Sequence, residues 1–331
     1  MMTERTEKNG TRQPLLSIIT PAYNESANLV LLSERIKDVV AGIDTDWEWI
    51  IIDDHSRDAT FATIRQLAGQ DPHIRGCRLA RNSGSHTAIV CGLEMAKGDC
   101  AIIMAADLQD PPETIPQLLE KWREGAQVVW AVRGKREGES TSTVGFAKLY
   151  YWIMRRIVGL DNLPPSGADF FLLDRRVISA FCNFRESNAS VLALLTWMGF
   201  RQDNIVYDKQ ARIHGKSGWS ISSKIKLVVD SVTSFSFLPV RLMSIVGFVV
   251  ALTGFIFAGY VVMNVLLGGK PTEGWSSLMV AILTIGGMQM LMMGVLGEYL
   301  WRALDESRGR PRYIIEDEVG TETPKQGRPD A

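Results

Sequence analysis

The residues best suited to chemistry lie in segment 107–110 (Asp-Leu-Gln-Asp), which follows an apolar run and precedes Pro111-Pro112. Asp107 and Gln109 are two positions apart at the end of a predicted strand, so both side chains can point toward one ion. Oxygen ligands suit Mg²⁺ or Mn²⁺, and Mg²⁺ binds one or two carboxylates together with substrate phosphates. We therefore predict that Asp107 and Gln109 hold a divalent cation on a diphosphate. For Asp110, capping of the following helix is the alternative.

Polar groups also follow three earlier apolar runs, at segment 21–25 (Pro-Ala-Tyr-Asn-Glu), Asp53-Asp54 and Arg81-Asn82. Ligands of α/β sheets bind beyond the carboxyl ends of the strands, so these groups are expected to meet at one rim. The sequence has no Gly-x-Gly-x-x-Gly after the first strand and no Walker A lysine loop. Because these phosphate cradles are absent, a bound diphosphate would need a cation instead.

The elements that position these residues alternate along the first part of the chain. Apolar runs predict strands over 15–20, 49–52, 76–79, 101–104 and 127–132. Helical periodicity predicts helices over 27–40, 59–68, 86–96 and 113–122. This order indicates an α/β, Rossmann-like fold, in which a mostly parallel sheet carries helices on both faces.

Two stretches near the carboxyl terminus are long and free of charge. No charged residue occurs between Arg241 and Lys270, or between Glu273 and Glu298. Membrane-spanning helices need about 20 apolar residues, so we predict two spans over about 242–267 and 278–296, joined as a hairpin. Residues 221–237 are predicted to form an amphipathic helix on the membrane surface, the alternative being an ordinary surface helix.

Basic residues near the ends of the spans indicate their orientation. Arg241 precedes the first span, four arginines follow the second over 302–312, and the connector carries only Lys270. We expect the domain over 15–220 and both termini to be cytoplasmic, at the inner or plasma membrane. The polar segment 1–14 has no apolar core of a signal peptide. The tail covers 301–331, and its polar part after Ile315 is expected to be disordered.

Overall charge and cysteine spacing exclude other classes. Lysine and arginine number 36 against 37 acidic residues, a net charge of −1, so no global basic field would attract nucleic acid. The four cysteines form no CxxC pair and no zinc-binding spacing, and are predicted to be reduced, buried thiols.

Taken together, the motifs resemble family 2 glycosyltransferases. The resemblance rests on segments 21–25, 53–58, 81–84 and 106–113, and extends to 167–173 (Gly-Ala-Asp-Phe-Phe-Leu-Leu) and 212–217 (Arg-Ile-His-Gly-Lys-Ser). Within that family, the chain is most similar to the polyprenyl-phosphate glycosyltransferases, the group related to dolichyl-phosphate mannose synthase. The resemblance covers about residues 15–315, including both predicted spans, and implies the GT-A type of nucleotide-sugar-binding fold.

The resemblance assigns roles to individual residues. The nucleoside pocket would be lined by Pro21, Tyr23 and Glu25, its base or ribose bound by Asp53 or Asp54, with Arg81 and Asn82 in the same region. Asp107 and Gln109 would hold Mg²⁺ or Mn²⁺, and Asp169 would act in the catalytic site, a helix cap or salt bridge being its alternative. Two departures stand out: Ala105, where many relatives carry an acid, and His55, where glycine is common, which indicates either a positive φ or close packing at this position.

The implied acceptor, a polyprenyl phosphate, shapes the expected chemistry. Its second pKa lies near ~6, so it is largely dianionic at neutral pH and needs positive charge and orientation rather than a strong base. The candidates for binding it are Arg133, Lys148, Arg212 and Lys216, each with a solvated surface charge as the alternative. A single in-line displacement would invert the anomeric configuration.

Three other functions fit the sequence less well. A processive polysaccharide synthase would carry a Gln-x-x-Arg-Trp segment and more spans, neither of which occurs. A silent membrane scaffold is favoured by Ala105 alone, and a sugar-1-phosphate transferase would have different motifs. The expected donor is a uridine diphosphate hexose, with guanosine diphosphate mannose as the second candidate. The expected lipid is undecaprenyl phosphate. The resemblance also implies a homo-oligomer, with which a tetramer is compatible.

Overall fold

The computed structural model describes residues 13–134, 152, 154–156, 164, 169–184, 186, 190–210, 233, 236, 238–267 and 274–320. Several predictions lie outside these residues. They concern the phosphate-binding roles of Lys148, Arg212 and Lys216, most of the helix predicted over 221–237, and the tail beyond residue 320.

The chain begins with alternating strands and helices, as the apolar pattern predicts. These elements are β1 (Leu15–Ala22), α1 (Ser26–Val40), β2 (Asp46–Asp53), α2 (Thr60–Gln70), β3 (Ile74–Leu79), α3 (Ser85–Met95), β4 (Cys100–Ile103), a 3₁₀ helix (Pro112–Thr114), α4 (Ile115–Arg123) and β5 (Val128–Arg133). The described remainder adds β6 (Phe171–Asp174), α5 (Arg175–Cys182), α6 (Val191–Trp197), β7 (Gln202–Tyr207), α7 (Leu238–Leu266), α8 (Trp275–Ser307) and β8 (Ile315–Val319).

The described strands form one sheet in the order β7-β5-β6-β4-β1-β2-β3-β8. Strands β1, β2, β3 and β4 are parallel, as are β5 and β7, whereas β6 and β8 run antiparallel to their neighbours. Successive residues of β1 serve opposite faces: Ile18 packs in the core under α1, α2 and α4, and Ile19 in the core under α3 and α5. This two-sided burial explains the continuous apolar strands and confirms the predicted fold class.

A buried ionic cluster holds the amino ends of the first strands together. The Glu48 carboxylate accepts hydrogen bonds from Ser17 Oγ at 2.5 Å and from the backbone nitrogen of Lys97 at 2.7 Å. Arg75 donates to it through Nε at 3.0 Å, and the distance from Arg75 Nη2 to Glu48 Oε2 in the ion pair is 2.9 Å. Glu48 and Arg75 are both buried, so each charge depends on the other for its compensation.

The last described strand, β8, corrects the prediction of disorder after Ile315, which is wrong for residues 316–319. β8 pairs antiparallel with β3 and so closes that edge of the sheet. Two of its acidic side chains form ion pairs with arginines of neighbouring elements. Glu316 pairs with Arg78 at 2.8 Å, and Asp317 pairs with Arg65 at 2.7 Å. Composition made the strand look disordered because edge strands are commonly charged.

Helices α7 and α8 confirm the two predicted apolar helices, with longer bounds than expected. Both are long and apolar enough to cross a membrane, over Leu238–Asn264 and Ser277–Ser307, and neither window is buried inside the protein. Large side chains such as Phe248, Phe255 and Leu266 are exposed along them. An apolar surface of this extent marks a lipid or protein contact rather than a face for water.

Candidate active site

The carboxyl ends of the parallel strands bring most of the predicted site residues to one rim. Asp53 ends β2, Arg133 ends β5, and Asp107 follows β4. β6 starts opposite the end of β4, which places Asp169, two residues before it, at the same rim. The rim is therefore where the chemistry predicted from the sequence is concentrated.

Segment 107–110 has a tightly constrained backbone. Asp107 is 6% exposed, and its Oδ1 accepts a hydrogen bond from the backbone nitrogen of Gln109 at 3.2 Å. Between them, Leu108 is fully buried with a φ of +62°. A leucine in the left-handed region costs about 1–2 kcal/mol, and such strain is concentrated at functional sites. Packing of Leu108 thus holds Asp107 and Gln109 in their turn.

Residues that follow β7 support this segment from the side. The backbone nitrogen of Gln210 donates to Gln109 O at 2.9 Å, and Gln109 Nε2 lies 3.5 Å from Gln210 O. Arg35 of α1 donates to Gln210 Oε1 at 3.2 Å and pairs with Glu113 at 2.7 Å. The segment is thereby joined to the last described residues before the gap at 211–232.

Asp110 has a structural role that the sequence did not reveal. It is fully buried, and its Oδ1 accepts a 2.5 Å hydrogen bond from the Tyr207 hydroxyl, with Lys209 Nζ at 3.9 Å. Burial raises the pKa of Asp110, while Lys209 and Tyr207 act to lower it. The alternative of a helix cap is wrong, because Pro111 occupies the cap position of the 3₁₀ helix. Tyr207 is a site residue that the sequence analysis missed.

The loops after β1 and β2 are bound to each other. Asn24 has a φ of +57°. Its side-chain Oδ1 accepts a hydrogen bond from the backbone nitrogen of Arg57 at 2.8 Å, and its backbone nitrogen donates to Ser56 Oγ at 2.9 Å. The backbone nitrogen of Glu25 donates to Thr60 Oγ1 at 2.9 Å. The Tyr23 side chain, in the same loop, is 40% exposed, so its ring is accessible for stacking on a planar base. Of the residues predicted to line a nucleoside pocket, Pro21 therefore lies near the end of β1, and Tyr23 and Glu25 lie in the fixed loop that follows it.

The two carboxylates at the end of β2 organise neighbouring loops. Asp53, fully buried, accepts from the backbone nitrogen of Ser56 at 3.0 Å and from Arg78 Nη1 at 3.2 Å. Asp54 accepts from the backbone nitrogens of Ser83 at 2.7 Å and Gly84 at 2.8 Å, beside the exposed Arg81 and Asn82. Burial raises the pKa of Asp54, and the two backbone donors oppose that rise.

Of the two explanations left open for the usual glycine at position 55, the structure shows the positive φ, which is +59° at His55. Its Nδ1 lies 3.0 Å from the carbonyl oxygen of Leu79 and therefore carries the proton, since a carbonyl oxygen can only accept. His55 therefore adopts a backbone conformation that is strained for histidine and would be unstrained for glycine. Its hydrogen bond to Leu79 O connects the end of β2 to the end of β3.

Arg133 and Asp169 form an ion pair, Nη2 to Oδ2 at 3.0 Å. This is the salt bridge that the sequence left open as the alternative for Asp169, yet the Asp169 side chain stays 61% exposed and so is accessible to a substrate. His86, at the first turn of α3, is a further neighbour that the sequence analysis missed. Burial lowers the pKa of His86, and the Asp169 carboxylate acts in the opposite direction.

The donor set for a cation is small. Among the described residues, no group of three histidine, cysteine or acidic side chains could hold a metal ion. Ala105 supplies no ligand, which leaves the Asp107 carboxylate and the Gln109 amide. This set fits a hard cation that takes its remaining ligands from substrate phosphates and water, which is how Mg²⁺ is commonly bound.

Comparison with known proteins shows the family to which the chain belongs. Residues 17–181 match the family model Glycosyl transferase family 2. An uncharacterized glycosyltransferase of Synechocystis sp. is 35% identical over 307 residues, 93% of this chain and 96% of the relative. The bactoprenol glucosyl transferase of Shigella phage SfV is 33% identical over 306 residues, 92% of this chain and 98% of the relative.

A similar fold is found in glucosyl-3-phosphoglycerate synthase from Mycobacterium tuberculosis, solved with Mn²⁺, uridine-diphosphate-glucose and phosphoglyceric acid. The TM-score is 0.50 at 16% identity, over 66% of this chain and 79% of that chain. The chain belongs to glycosyl transferase family 2, with a GT-A fold, and is a glycosyltransferase. Its relatives include a second protein of the bactoprenol type, the prophage bactoprenol glucosyl transferase homolog of Escherichia coli, 33% identical over 91% of this chain.

Proposed function

We propose that this enzyme transfers a hexose from a nucleoside diphosphate sugar to a polyprenyl phosphate at the cytoplasmic face of a membrane. The relatives named bactoprenol glucosyl transferases support the acceptor, because the match extends over nearly their whole length. A uridine diphosphate hexose is the proposed donor, and undecaprenyl phosphate the proposed lipid.

The observation that carries the proposal is that both chain connections to the apolar helices leave the sheet at the rim of the site. β7 runs parallel to β5 and ends at the rim with Tyr207 opposite Arg133. β8 runs antiparallel and begins at the rim, with Ile315 opposite Leu79. Residues 308–314, which join α8 to β8, span at most ~25 Å when extended. The rim is thereby tethered near the end of α8, within reach of an acceptor phosphate at a membrane surface.

The proposed topology follows from the basic residues. The end of α8 and the residues after it carry Arg302, Arg308, Arg310 and Arg312, and Arg241 lies in the first turns of α7, whereas the connector carries Lys270. Basic residues are enriched on the cytoplasmic side of spans. This supports a cytoplasmic rim and cytoplasmic termini.

In the proposed mechanism, an oxygen of the lipid phosphate forms a bond to the anomeric carbon as the bond from that carbon to the donor diphosphate breaks. The nucleoside diphosphate leaves with the electron pair, and the configuration inverts. Arg133 supplies positive charge for the acceptor phosphate at the rim. Asp169 orients the Arg133 guanidinium, and through it the acceptor, or else it orients a hydroxyl group of the sugar. Asp107 and Gln109 would hold Mg²⁺ or Mn²⁺, which neutralises charge on the leaving diphosphate when bound.

A transfer assay on detergent-purified protein tests this proposal. It combines undecaprenyl phosphate, Mn²⁺ or Mg²⁺ and a panel of nucleotide sugars, with mass spectrometry of the lipid and of the released nucleotide. We expect a glycosylated lipid phosphate and a nucleoside diphosphate, both abolished by a chelator. Release of a nucleoside monophosphate would contradict the displacement, and no lipid product with any donor would contradict the acceptor.

The ion pair at the rim gives a second test, with Asp169→Asn. Loss of the carboxylate removes the ion-pair partner that orients the Arg133 guanidinium toward Asp169, so the acceptor is misplaced and kcat is expected to fall about 100-fold. The fold should persist, because the Asp169 carboxylate is 61% exposed and a pair with one partner open to solvent contributes only about 0–1 kcal/mol. The control is Glu124→Gln, which removes the comparably exposed partner of Lys121 on α4. Equal kcat values for the two variants would refute a role for Asp169.

A further inference from the structure

The Arg78 guanidinium joins three parts of the chain. Nη1 lies 3.2 Å from Asp53 Oδ2, Nη2 donates to Ser56 O at 3.1 Å, and Nε donates to Glu316 Oε2 at 2.8 Å. Arg78 belongs to β3, Asp53 and Ser56 flank the turn after β2, and Glu316 belongs to β8. The Arg78 guanidinium thus donates both to the turn at the end of β2 and to the last described strand, β8.

Glu316 also reaches that turn directly. Its Oε2 lies 3.5 Å from His55 Nδ1, the same nitrogen that donates to Leu79 O. His55 has the positive φ that lets segment 53–56 turn back toward the loop after β1, where Ser56 Oγ accepts from Asn24. One carboxylate of β8 therefore contacts both the side chain within the turn and the arginine that holds the turn from the sheet.

We propose that Glu316 is a positioning residue for donor binding. By fixing Arg78 and His55, it fixes segment 53–56, on which the proposed nucleoside pocket is built. This inference rests on the proposed function, because it assumes that a nucleotide sugar occupies the loops after β1 and β2. Its consequence is that donor affinity depends on a strand supplied from beyond the second apolar helix.

The size of the effect follows from what remains after Glu316 is changed. In Glu316→Gln, Arg78 keeps Asp53 and Ser56 as partners, so the turn is loosened rather than lost. The amide oxygen introduced by this change can still accept from Arg78 Nε, so what is lost is the negative charge of a half-exposed pair, which weakens binding at most about fivefold. We expect the Kd of the nucleoside diphosphate and the KM of the donor to rise about three- to fivefold, with kcat and the KM of the lipid acceptor within about twofold of the parent.

The experiment uses the full chain in detergent or nanodiscs. Calorimetry with uridine and guanosine diphosphate in the presence of Mn²⁺ gives Kd, and the transfer assay gives KM and kcat separately. The matched control is Asp317→Asn, the next residue of β8, whose carboxylate is as exposed as that of Glu316 and pairs with Arg65 at 2.7 Å. Arg65 does not hydrogen-bond segment 53–56 in the described structure, so this control should bind the nucleotide like the parent. Glu316→Asp should recover part of the affinity.

The outcomes separate this inference from the function on which it rests. Unchanged nucleotide affinity in Glu316→Gln would overturn the positioning role while the proposed function stands. Equal weakening by Asp317→Asn would also overturn it, because strand pairing in general would then be the cause. Failure of the parent protein to bind any nucleoside diphosphate would overturn both.

Discussion

Replacing Asp107 with asparagine is expected to lower the transfer rate by about 1000-fold or more, while the protein stays folded. Asp107 is the one carboxylate in the proposed donor set of Asp107 and Gln109, and Ala105 offers no substitute. Asparagine has the same shape, and its Oδ1 can still accept from the backbone nitrogen of Gln109. The variant therefore removes negative charge from the turn without removing the turn.

The transfer rate is measured over a range of Mn²⁺ concentrations, with electron paramagnetic resonance of Mn²⁺ and nucleoside diphosphate as a binding readout. Asp71→Asn is a closely matched control. Asp71 Oδ1 also accepts from a backbone nitrogen two residues on, that of His73 at 3.0 Å, but it lies at the amino end of β3, opposite the rim. A rate for Asp107→Asn within about tenfold of the control would be incompatible with the cation site.

The largest expected effect on stability comes from Glu48→Ala. The change leaves the buried Arg75 guanidinium without its carboxylate and leaves Ser17 Oγ and the backbone nitrogen of Lys97 without their acceptor. Breaking a buried ion pair on one side costs about 3–5 kcal/mol. For a domain of this size, that corresponds to a fall in Tm of about 10 °C.

Scanning fluorimetry of the detergent-solubilised protein measures that fall in Tm. Glu124→Ala, which removes an exposed partner of Lys121 on α4, is the reference and should shift Tm by no more than about 2 °C. A Tm for Glu48→Ala equal to that of Glu124→Ala would mean that water or another group compensates Arg75 in the folded state.

Much of the fold could be predicted from the sequence because burial on both faces makes strands such as β1 and β2 continuous apolar runs. Strand direction could not be predicted in the same way. β6 lies antiparallel between β4 and β5, although its apolar run resembles theirs, because direction depends on how the chain returns to the sheet. β8 was missed because its sequence, Ile-Glu-Asp-Glu-Val, has the composition of a solvated tail.

The candidate site was located from the sequence where polar motifs directly follow strands, as for Asp53 and Asp107. The residues that support those motifs were not foreseeable, because they are distant in the chain. Tyr207 binds Asp110 across 97 positions, and Glu316 binds Arg78 across 238. The roles of Lys148, Arg212 and Lys216, the membrane face and the oligomeric state stay predictions.

The position of β8 makes the catalytic domain discontinuous in the chain. The sheet is built from residues before 210 and from residues 315–319, so both apolar helices form an insertion between its penultimate and last described strands. During synthesis, β8 leaves the ribosome only after α8, and until then β3 presents an open edge with unpaired backbone groups. Completion of the side of the sheet that carries the proposed nucleoside pocket is thereby postponed until both helices have been made.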